Sequence, residues 1–237
     1  MITLIRHSEK LKNVNKKKWE RSKRFKENIH DTPITSNGKK IAKKAFNKLI
    51  LQGYDNIDYL YCSPLTRCIQ TCLVIKKIIK KKFKKELKIR IEYGLVESNF
   101  DSPIKFSNND KNKCFFDKKS KIKYLDNELS LKNIIKKYGN DIDKSYKSKT
   151  KFKDVSFDKN NVYFINRCIK TFNDILKDFN KKDNVLIVTH GNFIFSIYTF
   201  LKNNYDSSKF EEVSGEYCSM LITDYKKKKI ELLNNLN

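Results

Sequence analysis

The sequence predicts an α/β protein, a three-layer α/β/α sandwich around a mostly parallel sheet. Three observations carry this. Apolar runs of strand length alternate with stretches of helical periodicity along the chain. One run, Asn184–Thr189, is almost unbroken Val, Leu and Ile, as a central parallel strand covered on both faces requires. Two of the three His, His7 and His190, stand directly after such runs. The 237 residues fit a single domain, 1–237, that carries an insert.

In order, Ile2–Ile5 is a short apolar run and reads as a buried strand. Residues 10–31 are polar, Lys-rich and irregular, and read as a surface loop. Thr35-Ser36-Asn37-Gly38 opens a helix with apolar positions at Ile41, Ala45, Leu49 and Leu51, and Gly53 ends it. Asp58–Cys62 reads as a second strand. Ser63-Pro64 then starts a helix, with Ser as N-cap and Pro at the first helical position, running to about Lys81. Leu87–Tyr93 alternates Lys88, Arg90 and Glu92 with Leu87, Ile89 and Ile91, a third strand. Residues 98–158 are rich in Lys, Asn, Asp and Ser, with one helical patch near Leu131–Tyr138. They are too long for an ordinary loop and read as an inserted cap-like segment over one face. Helical periodicity returns over Asn161–Phe179, a helix follows the apolar strand from Asn192 to Leu201, and Tyr217–Asp224 and Ile230–Leu233 close the chain as strands.

Composition bounds the function. Hydrophobic residues make up 39%, with 16 Phe and 12 Tyr, enough for a core and against wholesale disorder. The net charge is +25, which points to an anionic partner: nucleic acid, a membrane surface or a phosphorylated substrate. Yet 46 of the 52 basic residues are Lys, only six are Arg, and Asn numbers 25, which reads as composition bias on solvated surfaces. Against that background, an Arg beside a His or inside a motif marks a place that needs a planar fork. No apolar run approaches the ~20 residues that span a bilayer. The N-terminal apolar run is four residues ended by Arg6, unlike a signal peptide. The six Cys show no CxxC pair and no metal-ligand spacing, and Cys68 and Cys72 stand one helical turn apart on a buried face. Reduced core thiols, a cytoplasmic location and no metal or other cofactor are the expectation.

The chemistry gathers at strand ends. His7 follows the first strand, His190 the central one, and Arg67 lies in the first turn of the helix after the second. Open α/β sheets bind ligands beyond the carboxyl ends of their strands. Arg6, Arg67 and two imidazoles suit a tetrahedral, doubly negative phosphoryl group, because Arg offers charge-assisted, often bidentate hydrogen bonds. The helix at Ser63-Pro64 is expected to aim its positive end at the same place. No Gly-rich phosphate loop and no acidic Mg²⁺ cluster is evident. Phosphoryl transfer then needs a protein nucleophile, and an imidazole can serve. His30 sits in a Lys-rich stretch without a motif and reads as a surface residue.

Arg6-His7-Ser8-Glu9 resembles the RHG signature of the histidine phosphatase superfamily, also called the phosphoglycerate mutase-like family. The resemblance continues through Thr32–Gly38, Cys62–Thr71 and Val188-Thr189-His190-Gly191, and runs from residue 2 to about 224. The finer pattern, Tyr61–Thr71 and then Ile89–Glu97, resembles the phosphatase domain of the suppressor of T-cell receptor signalling proteins and the related ecdysteroid-phosphate phosphatases. Tyr217-Cys218-Ser219 fits a late strand of that branch, and Asp141–Lys147 and Phe164–Arg167 fit more loosely.

The resemblance implies roles. His7 is the nucleophile that becomes phosphohistidine. Arg6, Arg67 and His190 bind the phosphoryl oxygens, and Glu97 is the general acid and then the base. Lys10 stands where the branch usually has Arg, keeping the charge but not the fork. Ser8 replaces the family's usual Gly, which requires that the backbone there avoid positive φ. Ser98-Asn99-Phe100 replaces an aromatic pair after Glu97. The expected function is a metal-independent phosphomonoester hydrolase acting on a phosphorylated small molecule or phosphoprotein, with no specific nucleic acid partner. Related phosphatase domains are often dimers, so a homodimer stays open. Two alternatives stand beside it. A phosphoglycerate mutase would carry a long Arg-and-aromatic segment after the acid Glu, which is not evident after Glu97. A catalytically inert, basic polyanion-binding module would draw on the Lys76–Lys88 run, which also reads as an amphipathic helix with a solvated Lys face.

Overall fold

The computed structural model describes residues 1–23, 25, 31–54, 56–97, 129–151, 155, 161–180, 182–202, 215–224 and 229–233. Among these, β1 (Ile2–Arg6), β2 (Tyr59–Cys62), β3 (Ile89–Ile91), β4 (Val185–Thr189), β5 (Met220–Asp224) and β6 (Lys229–Leu233) form one sheet in the order β3-β2-β4-β1-β5-β6. Neighbours from β3 to β1 run parallel, and β5 and β6 add antiparallel pairs at one side. The helices are α1 (Leu11–Val14), α2 (Lys16–Glu20), α3 (Ser36–Leu51), α4 (Thr66–Phe83), α5 (Leu131–Tyr138), α6 (Asn161–Leu176) and α7 (Gly191–Lys202).

The strands alternate between two cores, as period-2 side chains must. Ile5, Leu60, Cys62, Leu186 and Val188 face Ala45, Phe46 and Leu49 of α3 and Cys68, Cys72 and Ile75 of α4. Leu4, Tyr61, Val185 and Ile187 face Phe164, Cys168 and Phe172 of α6 and Phe193 and Ile197 of α7. The three-layer sandwich with a largely parallel sheet is therefore present. Five thiols, Cys62, Cys68, Cys72, Cys168 and Cys218, are free and buried. Among the described residues no helix is long and apolar enough to cross a membrane.

Several local readings are corrected. Residues 10–31 are not simply a loop: they hold α1 and α2, and Trp19 is buried at 1% exposure. Isolated polar periodicity hid a helix whose single large apolar residue docks it. Leu51 is exposed, and the buried face of α3 runs through Ala42, Ala45, Phe46 and Leu49 instead. Ser63 is not the N-cap of α4; that place falls to Leu65, without a side-chain cap. The carboxylate of buried Asp31 accepts from the Thr66 backbone N–H at 2.6 Å and from the Thr66 hydroxyl, so this helix end meets a protein anion. Tyr217 lies in a turn ahead of β5, not in the strand. The helical patch at 131–138 is α5, while residues 98–128, with Cys114, and His30 lie outside the described residues.

Candidate active site

Strand register assembles the site. Arg6 pairs with Thr189, and Cys62 pairs with both Val188 and Ile91. The carboxyl ends of β1, β4, β2 and β3 therefore finish level. The His7 N–H donates to the Thr189 carbonyl at 2.9 Å and the Ser63 N–H to the Val188 carbonyl at 3.0 Å. The His7 and His190 rings meet edge to face, 5.3 Å between centroids.

Both imidazoles are buried, and their tautomers follow from their partners. His7 Nδ1 lies 2.8 Å from the Ser8 carbonyl, which can only accept. Nδ1 therefore carries the proton and Nε2 keeps its lone pair. Burial, then the charges of Arg67 and Arg6, hold the His7 pKa well below its ordinary value. His190 is the opposite tautomer. Arg67 Nη2, a donor only, lies 3.2 Å from its Nδ1, and its Nε2 donates to Ser63 Oγ at 2.9 Å. Burial and Arg67 push the His190 pKa well down as well.

Cations ring this pair. The Arg6 guanidinium donates to the Gly215 carbonyl and lies 5.1 Å from the Tyr217 ring centroid. Tyr217 also stands 6.2 Å from the His7 ring and accepts from Asn13 at 2.7 Å. Burial and the repulsion of Arg67 lower the Lys10 ammonium to about 8, opposed by the charge of Glu97. Glu97 closes the group, with Oε2 3.8 Å from His190 Nδ1 and its side chain 26% exposed. All six sequence-derived residues, Arg6, His7, Lys10, Arg67, Glu97 and His190, thus sit in one cluster. Among the described residues no group of three or more His, Cys, Asp or Glu has the geometry to hold a metal ion.

The loop after His7 is fastened to its neighbours. Ser8 N–H donates to Thr71 Oγ1 at 3.0 Å and Ser8 Oγ to the Gly38 carbonyl at 2.6 Å. Positive φ among described non-glycine residues occurs only at Lys84 and Cys218, so Ser8 is accommodated without strain. Gly38 is required: a Cβ there would come within 2.7 Å of the Glu9 carbonyl oxygen. Sequence reasoning missed two residues at the site. Ser63, taken for a cap, meets His190 Nε2 and accepts from it in the tautomer that Arg67 sets. Tyr217, taken for a strand residue, packs on Arg6; its only signal was an aromatic residue just ahead of an apolar run.

The comparisons with known proteins bear on the family and the fold. A model of the histidine phosphatase superfamily (branch 1) matches residues 2–110 and 125–236. The fold resembles that of the ecdysone phosphate phosphatase of Bombyx mori, solved with tungstate: TM-score 0.59 at 18% identity, covering 98% of this chain and 91% of that one. It also resembles a mycobacterial glucosyl-3-phosphoglycerate phosphatase solved with vanadate: TM-score 0.55 at 14% identity, covering 100% and 98% of the two chains. A search of curated proteins found no match. A family match that covers nearly the whole chain, on a sheet that brings the matched motifs together, places this protein in the histidine phosphatase superfamily, branch 1.

Proposed function

We propose that the protein is a phosphomonoester hydrolase that works without a metal, through a covalent phosphohistidine on His7. The observation that carries this is the His7 ring: neutral, with Nδ1 tied to the Ser8 carbonyl and Nε2 left as a nucleophile beside three cations. Nε2 attacks phosphorus as the bond to the leaving oxygen breaks. Arg6, Arg67, Lys10 and His190 hold the phosphoryl oxygens and offset their charge in the transition state. A phosphoryl dianion reverses the cationic field at His190 and favours its imidazolium. The Glu97 carboxyl protonates the leaving oxygen. Its carboxylate then takes a proton from water, whose oxygen attacks phosphorus, breaks the P–N bond and releases phosphate with His7 restored. The sequence pattern over Tyr61–Thr71 and Ile89–Glu97 favours the ecdysteroid-phosphate phosphatase branch. Residues 98–158 act as a cap in this reading, supported by Leu129 and Val155 packing with Leu65 and Val96 beside the acid loop.

The test is phosphate release from p-nitrophenyl phosphate, with chelator and without added metal. The intact protein turns over, best at mildly acidic pH, and His7→Ala loses roughly 10³-fold or more. No turnover by the intact protein overturns the hydrolase reading, and assay with 3-phosphoglycerate then asks whether the chain is a mutase.

A further inference from the structure

The segment that carries Glu97 is gripped at three successive peptide carbonyls. Arg167 of α6 is buried, and its Nη1 donates to the Gly94 carbonyl at 2.6 Å and to the Val96 carbonyl at 3.0 Å. Thr189, the last residue of β4 and the neighbour of His190, donates from Oγ1 to the Leu95 carbonyl at 3.0 Å. The Arg167 guanidinium is itself seated against Phe164, 5.0 Å from the ring centroid. The sequence adds a second argument. The chain uses Lys 46 times and Arg six, so an Arg kept in a buried place marks a site where an ammonium does not suffice. At Arg167 a planar guanidinium lies against Phe164 and holds one terminal nitrogen between two carbonyls, a fixed orientation that a flexible ammonium lacks.

We propose that Arg167, together with Thr189, is a positioning residue for Glu97. By fixing the 94–96 carbonyls it sets where the Glu97 carboxyl stands relative to the leaving oxygen. The proposal rests on the reading of Glu97 as the general acid. Proton transfer needs an approach of about 2.6–3.2 Å, and a misplacement of about 1 Å can cost roughly 100-fold. Loosening the grip therefore weakens the acid while leaving the nucleophile and the phosphate-binding groups in place.

The experiment reads kcat/KM for a series of phosphate monoesters, from p-nitrophenyl phosphate to a simple alkyl phosphate. An activated phenolate leaves without help, and an alkoxide needs the proton. In Arg167→Met the loss is about 3-fold or less on the nitrophenyl ester and rises to about 30–100-fold on the alkyl ester, a graded copy of Glu97→Gln. Arg167→Lys falls between. Thr189→Val keeps the volume and Arg167 itself, shows the same trend more weakly, and carries the test if Arg167→Met does not fold. A steep Glu97→Gln series beside uniform losses in Arg167→Met and Thr189→Val overturns the positioning role alone. A Glu97→Gln series as shallow as the intact protein overturns the acid reading and the positioning role with it.

Discussion

Lys10 shows how one side chain can set a pH limit. It stands three residues after His7, amid the charges of Arg67, Arg6 and Lys12 and facing Glu97. Burial and those cations bring its ammonium down to about 8. A guanidinium in the same place stays charged throughout the accessible range. As pH rises through 8 the intact protein therefore loses one of the charges proposed to bind phosphate, although the ester remains a dianion. KM for an aryl phosphate is expected to rise about 10-fold or more between pH 7 and pH 10, the loss of one charge-assisted hydrogen bond. In Lys10→Arg the same plot stays flat. A KM independent of pH in the intact protein places Lys10 away from the bound phosphate.

At the scale of an element, the short 3₁₀ turn Tyr93–Leu95 is held from both sides. Glu92, fully buried, accepts from the N–H groups of Gly94, Lys149 and Thr150, from Ser148 Oγ and from Tyr146 Oη. Its carboxylate thereby ties residues 146–150 to the end of β3. Gly94 leaves no room at the centre of this arrangement, since a Cβ would overlap the side chains of Thr171 and Thr150. Gly94→Ala is expected to cost about 1–3 kcal/mol by overpacking, measured by urea unfolding, with activity lowered most on esters that need the acid. An unchanged unfolding midpoint shows that the two threonines can retreat. This turn also shows where the sequence was legible. Val185–Thr189 and Ile2–Arg6 announced themselves because strands buried on both faces are apolar throughout, and His7 and His190 were found because they follow such runs. In the sequence Glu92 and Arg90 read only as the polar positions of an alternating strand. Only tertiary packing reveals that Glu92 meets five donors and that Arg90 sits 4.5 Å from the Tyr59 ring centroid and 5.5 Å from those of Tyr61 and Tyr146. Asp31 was illegible for the same reason: its partner, Thr66, lies far along the chain.

Across the whole molecule the net charge is +25, and among the described residues two sets of cations differ physically. Arg6, Arg67 and Lys10 converge on the site from the ends of β1 and the start of α4. A second set is solvated: Lys39, Lys40, Lys43 and Lys44 of α3 and Lys77, Lys80, Lys81 and Lys82 of α4 are exposed. Lys76 is the exception in that run, buried and paired with Glu86 at 2.7 Å and Asp141 at 2.8 Å. Whatever enriched the chain in Lys, the resulting field acts on any anion that approaches. The two groups differ in how salt treats them. Exposed charges are screened beyond a Debye length, which shrinks from about 30 Å at 0.01 M to about 3 Å at 1 M, whereas buried charges are screened far less. Over that range kcat/KM for a dianionic ester should fall several-fold while kcat at saturation holds, because screening slows encounter and not chemistry. Neutralising Lys39, Lys43, Lys80 and Lys81 to Gln should flatten the salt dependence and leave kcat unchanged. A salt slope that survives those four substitutions leaves Lys39, Lys43, Lys80 and Lys81 without a part in capture.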